Sequence, residues 1–107
     1  MLNTIVLVGR VMRPPEGWRT PAGDRACSFA VELSSTADGS GRAEAVPVVW
    51  VGPSTAAEPE VRMGDLVAVR GRLSIRAFRG SDGQRRERFE IVGDAVAALA
   101  SGPPWTK

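Results

Sequence analysis

Between Arg70 and Arg88 the chain places seven arginines, Arg70, Arg72, Arg76, Arg79, Arg85, Arg86 and Arg88, against two acids, Asp82 and Glu87. Glu58, Glu60 and Asp65 lie just upstream, so a formal net charge of only +2 conceals a strongly basic segment. Thirteen of the fourteen basic residues are arginine, whose planar, permanently charged fork suits phosphate contacts and stacking on flat rings. The chemistry on offer is retention of a polyanion. Bond-making chemistry is poorly provided for. The chain has no histidine and one cysteine, Cys27, which removes the usual base near neutral pH and the Ser-His and Cys-His nucleophilic pairs. No intrachain disulfide or thiolate metal cluster can form within one subunit, and a metal site would have to be all-oxygen. No phosphate loop, metal-ligand spacing or nucleophile motif is present. The expectation is a protein that is not an enzyme and carries no cofactor and no metal.

The elements that must position these arginines follow from the apolar pattern. Leu2 to Val11, LNTIVLVGRV, is β-branched and apolar and reads as a buried first strand, with Gly9 placed for a bulge or a close backbone crossing. Met12 to Asp24 holds three prolines and two glycines and reads as a hairpin loop. From Ala26 to Leu33, Cys27, Phe29, Val31 and Leu33 alternate with Ser28, Ala30 and Glu32, the signature of a half-buried strand. A polar connection, SSTADGSGR, read as mobile, leads to a third strand, Ala45 to Val51, in which Pro47 points to an edge position or a bulge. The stretch from Pro53 to Asp65 has room for one or two helical turns begun by Ser54 and ended by Gly64. Leu66 to Phe78 is a long fourth strand with Val67, Val69, Leu73 and Ile75 inward and Gly71 central, which suits a strand bending round a barrel corner. A turn at 79–84 joins it to a fifth strand, Arg85 to Val92, in which Glu87, Phe89 and Ile91 share a face.

The count is five strands with at most one short helix, between the third and fourth. That order fits an all-β, five-stranded oligonucleotide-binding (OB) Greek-key barrel, and the pattern alone also allows an SH3-like barrel. On the fourth strand the residues opposite the core read Leu66, Ala68, Arg70, Arg72, Ser74, Arg76 and Phe78. Three arginines and one aromatic on one face are what a single-stranded nucleic acid requires: cations to follow the phosphates, and a ring on which a base of any sequence stacks. Trp18, in the proline-rich loop, is either a second stacking platform or a plug for the barrel end. Trp50 alternates with Val46 and Val48 and belongs to the core or to a subunit interface. Cys27 reads as a small buried apolar residue.

A chain of 107 residues suits one domain, here 1–100, with a short flexible tail at 101–107 in which the role of Trp105 is undecided. No apolar run nears the roughly 20 residues that span a bilayer, and MLNTIVLVGR lacks the basic start and cleavage site of a signal peptide. A soluble, cytoplasmic chain with no membrane association is expected.

The segments LNTIVLVGRV, PPEGWRTPAG with ACSFAVELSS, VVWVG, MGDLVAVRGRLSIRAF and the closing strand, in this order, resemble the bacterial single-stranded-DNA-binding protein family over about residues 2–100. The resemblance carries the closing strand to about Val96 and implies an OB-fold that assembles as a homotetramer or a dimer. It implies wrapping of single-stranded DNA with little sequence preference during replication, repair and recombination, nucleoid association, and replication or repair proteins as partners. Phe78 falls where the family carries a stacking tryptophan, and Arg72 and Arg76 fall in its basic groove. Ala37, Ala45 and Val51 stand where members carry further stacking aromatics, which implies weaker or differently placed binding with Trp18 as a substitute. The residues expected to hold a strand are Arg70, Arg72, Arg76, Phe78, Arg79, Arg85, Arg86, Arg88, Trp18 and Arg10. The family also carries a long tail with an acidic tip, whereas this sequence stops at PPWTK, as a core piece or a short relative would. In that respect it is also similar to the primosomal replication protein N branch, dimeric OB adaptors that bind protein partners and single strands weakly, which is the alternative reading.

Overall fold

The computed structural model describes residues 3–34 and 43–102. Six strands follow one another: β1 (Ile5–Val11), β2 (Glu16–Arg19), β3 (Arg25–Ser34), β4 (Ala43–Gly52), β5 (Leu66–Arg79) and β6 (Arg85–Ala100). They run β1-β5-β6-β4-β3-β2 across one sheet, which closes on itself where β1 meets β3 at Arg10↔Glu32 and Val11↔Val31. All pairings are antiparallel except that of β4 with β6, where Val48–Trp50 runs parallel to Ile91–Gly93. Closure by one parallel contact is the Greek-key order of an OB barrel, and closing the sheet removes most of its exposed edge.

The core is built mainly of valine. Val11, Val31, Val48, Val67 and Val69 are buried together with Cys27, Phe29, Trp50 and Ile91, and each such side chain contributes about 1.5–3 kcal/mol by leaving water. Trp50 is thus a core residue. Burial, with the nearby Glu58 carboxylate adding to it, raises the pKa of the Cys27 thiol, so this sulfur stays protonated and acts as an apolar filler. Pro47 sits where β4 pairs with β3 alone, just before the contact with β6 begins at Val48. Gly9 is required by a close crossing: a Cβ there would lie 2.5 Å from Val31 Cγ1. Gly71 marks the bend of β5, at a register shift between Arg70 and Gly71, where a Cβ would come within 2.8 Å of Gly93 Cα.

Several elements depart from the sequence expectations. A sixth strand, β2, forms inside the expected loop. Pro14 and Pro15 interrupt β1, and the chain then resumes along the same edge of β3, pairing Glu16–Arg19 with Arg25–Ser28. β3 is more enclosed than half-buried, because Ala26 and Ala30 on its outer face are short and are shaded by their larger cross-strand neighbours Trp18, Val51 and Pro47. The stretch before β5 forms turns and no helix among the described residues, with Ala56 N–H donating to Pro53 O (2.9 Å) and Asp65 N–H to Arg62 O (3.0 Å). β6 continues to Ala100 rather than stopping near Val96, paired throughout with β5. Ile75 is not inward but 63% exposed, because β5 and β6 outrun the barrel: the β1 pairing of β5 ends at Gly71, and the β4 pairing of β6 covers only Ile91–Gly93. Residues 74–90 form a two-stranded arm with water on both faces. The 35–42 connection, including Ala37, and positions 103–107, including Trp105, lie outside the described residues; Gly102 N–H donates to Asp65 Oδ1 (3.1 Å).

Candidate nucleic-acid interface

Register decides which arginines share a face. Residues directly opposite one another in an antiparallel pair project to the same side, and the β5–β6 ladder places Arg72 opposite Val92, Ser74 opposite Glu90, Arg76 opposite Arg88 and Phe78 opposite Arg86. These eight side chains occupy the outer face, which continues the outside of the barrel onto the arm. Arg88 lies over the Phe78 ring with its guanidinium carbon 5.5 Å from the centroid, a cation–π contact. Phe78 itself is 41% exposed, so part of its ring is open to a flat partner.

The charges are arranged against their own comfort. Arg76 and Arg88 are directly opposed, as are Arg79 and Arg85 one row beyond Phe78, and like charges at such positions destabilise a sheet by tenths of a kcal/mol or more. Three acids moderate the repulsion around the barrel mouth and the arm. Glu90 meets Arg76 (3.4 Å), Asp94 meets Arg70 (2.9 Å) and Asp82 meets Arg86 (2.7 Å). Asp82 also accepts the Gln84 N–H (3.0 Å), and these two contacts hold its carboxyl below the usual range. Arg79 donates to Gly83 O (3.1 Å) and so ties the turn. On the arginine side every one of these ion pairs is exposed, although Glu90 is largely shielded, which leaves the guanidinium groups available to a competing anion.

At the root of the arm the outer face is concave. A shallow depression of about 300 Å³ lies between Val51, Arg70, Arg72, Val92 and Asp94, with Asn3 and Thr4 at its rim. Asn3 is fixed there by two bonds to Leu73, its Nδ2 donating to Leu73 O (2.8 Å) and its Oδ1 accepting from Leu73 N–H (3.2 Å). Leading away from the depression at Val51, Trp18, Ala26 and Val51 form one cross-strand row. Trp18, 44% exposed, is therefore a strand residue whose ring lies two strands from Val51, on the same outer face. Ala45 occupies that face of β4 farther along and is exposed.

Of the ten residues singled out from the sequence, the structure brings Arg70, Arg72, Arg76, Phe78, Arg86 and Arg88 onto one surface, with Trp18 at its far end. Arg79 and Arg85 are close by but project to the other face of the arm. Arg10 is not brought to this surface. It pairs with Leu66, at the opposite end of β5 from Phe78, and donates to Gly64 O (3.0 Å). Sequence reasoning missed Phe89, which is 52% exposed on the arm, although its alternation with Arg88 and Glu90 was visible. Chemically, the arrangement offers a line of cations suited to a phosphate chain and aromatic surface suited to bases of any sequence.

The single-strand binding protein family model matches residues 2–99. The chain is 36% identical over 105 residues to single-stranded DNA-binding protein 3 of Listeria innocua serovar 6a, an alignment covering 94% of this chain and 66% of that protein. It is 32% identical to the single-stranded DNA-binding protein of Clostridium tetani, covering 94% and 72%, and 30% identical to single-stranded DNA-binding protein 1 of Clostridium acetobutylicum, covering 92% and 94%. The chain thus spans about two thirds of the length of the Listeria relative and nearly all of the second Clostridium one. Among solved structures, the Plasmodium falciparum SSB complex with ssDNA superimposes with a TM-score of 0.72 at 21% identity, covering 92% of this chain and 96% of that one, which supports the OB architecture. On the family match and these relatives together, the chain belongs to the single-strand binding protein family.

Proposed function

We propose that this protein binds single-stranded DNA with little sequence specificity along the outer face that runs from Trp18 past Val51 and Arg72 to Phe78. It works by holding the strand and not by catalysing a reaction on it. The observation that carries this reading is the pair of directly opposed arginines around an open phenylalanine, Arg76 and Arg88 beside Phe78. In the bare protein the repulsion between them is offset only by Glu90 beside Arg76 and by the Phe78 ring beneath Arg88, whereas a phosphate between the guanidinium groups turns it into two charge-assisted contacts. Strand protection during replication, repair and recombination in the cytoplasm is the role this binding serves. Trp18 stands in for the aromatics that the family has at the positions of Ala45 and Val51. Duplex DNA is disfavoured, because its bases are stacked on one another and cannot lie on Phe78 or Trp18.

The protein acts as a homo-oligomer, a tetramer or a dimer. The support for this is the edge of β1 from Ile5 to Gly9, which among the described residues pairs with β5 on one side only, and the exposed Val6 and Val8 on it. An open apolar edge of this kind is normally covered by another strand. The test is anisotropy of a labelled oligo-dT titrated at several salt concentrations, with a duplex of equal length as control. The expected result is single-strand selectivity and an affinity falling linearly in log–log form, with a slope of roughly −0.7 per phosphate neutralised. Equal binding to the duplex would contradict the proposal.

A further inference from the structure

The arm has a second face, and it too carries an aromatic and a cation pair. Ile75 stands directly opposite Phe89, Ala77 opposite Glu87, and Arg79 opposite Arg85. Phe89 and Ile75 are 52% and 63% exposed, so the ring rests on an aliphatic floor with about half its surface in water. Leu73 and Ile91 of the same face already belong to the barrel rim and core, and Phe89 lies one step beyond them, where no other strand covers it among the described residues. The rows Phe78↔Arg86 and Arg79↔Arg85 are adjacent at the tip but face opposite ways. A phosphate chain leaving the outer face at Phe78 and turning round the arm therefore meets a second opposed arginine pair at the next row and then, past the Ala77↔Glu87 row, a second ring.

We propose that single-stranded DNA engages both faces of the arm, passing round its tip, with Phe89 as a second base-stacking platform and Arg79 and Arg85 as the phosphate contacts that lead to it. The inference rests on the single-strand binding proposed above and adds a site to it. A polyanion is favoured over a second copy of the chain as the occupant by charge. Two copies packed through this face bring two opposed arginine pairs toward each other, whereas a phosphate chain neutralises the pair that is there. The contact is sequence-tolerant, since a stacked ring accepts any base.

The chain contains three phenylalanines, Phe29, Phe78 and Phe89, of which Phe29 is buried. Full-length protein labelled with 4-fluorophenylalanine therefore gives three ¹⁹F resonances, one internal control and one on each face of the arm, assigned by Phe78→Leu and Phe89→Leu variants. With short oligo-dT the Phe78 signal moves first; with longer oligo-dT the Phe89 signal moves as well, and that of Phe29 stays. In parallel, Phe89→Ala lowers affinity for the long oligonucleotide about five-fold or more and leaves the short one unaffected. A Phe89 resonance that no length of oligo-dT moves, while Phe78 responds, overturns this inference and leaves the binding proposal intact. Silence of both overturns the two together. A Phe89 signal that shifts with protein concentration instead, with Phe89→Ala changing the sedimentation coefficient and not the affinity, also overturns it by assigning the face to self-association.

Discussion

Leu66 to Leu73 and Ser74 to Arg79 are halves of one strand, alternate with the same period, and meet opposite fates. In the first half Val67 and Val69 are buried and Leu73 packs against the core; in the second, Ile75 is more exposed than Phe78 on the supposed solvent face. The first half is flanked by β1 and β6 and lies over a core, while the second is flanked by β6 alone. Alternation reports which residues share a face. Whether that face is covered depends on a neighbour that local sequence does not encode. The barrel half is where the protein keeps its stability, and the arm half is where opposed charges and open rings are retained at a small cost in stability.

Substitutions should separate the two halves. The largest effect expected is Trp50→Ala, which empties a buried ring from the barrel and lowers stability by about 3–5 kcal/mol, read as a large drop in thermal midpoint. Gly71→Ala, which forces a Cβ toward Gly93 Cα and the Val92 carbonyl at the junction of the halves, costs about 1–3 kcal/mol in chemical denaturation. Phe78→Ala should reverse the pattern. Stability stays within about 0.5 kcal/mol while oligo-dT affinity in an anisotropy titration weakens by about 1–3 kcal/mol. A Phe78→Ala protein that unfolds as readily as Trp50→Ala would erase the distinction.

Smaller effects sharpen it. Arg76→Gln removes one member of an opposed pair and also the ion partner of Glu90, so the salt dependence of binding should lose about 0.7 from its slope while stability stays within about 0.5 kcal/mol. Asp82 gives the arm a pH response. Its folded pKa lies below the ordinary 3.8 because of Gln84 N–H and Arg86, so the stabilisation it lends the turn is complete above that value and is lost as pH falls through the folded pKa. Amide protection factors at Gly83 and Gln84, taken against the intrinsic exchange rate at each pH, should fall in that acid window, with those of Val67 and Val69 unaffected.

How much of this was legible beforehand depends on whether each feature is local. The alternation of Cys27, Phe29 and Val31, the bend at Gly71 and the shared face of Arg72, Arg76 and Phe78 follow from strand period and could be read directly. The strand at Trp18 could not, because Pro14, Pro15 and Gly17 mark a loop and only pairing with β3 overrides them. The end of β6 was also hidden: Gly93, Asp94 and the alanines after them have weak strand preference, and β5 holds them in place. Arg10 is outward by parity, as expected for a contact residue, but the antiparallel pairing of β1 with β5 carries it to Leu66, away from the arm. The exposure of Phe89 depends on where the barrel stops, which no local pattern reports.

The measurement that tests the central claim most directly is an amide chemical-shift titration of the ¹⁵N-labelled protein with oligo-dT in transverse-relaxation-optimised spectra. Perturbations concentrated on Arg72–Arg88, with a second group at Trp18 and Val51 and none at Arg10 or Gly64, are the predicted result. Perturbations centred on Arg10 and Gly64, or spread without preference for the arm, would contradict the account.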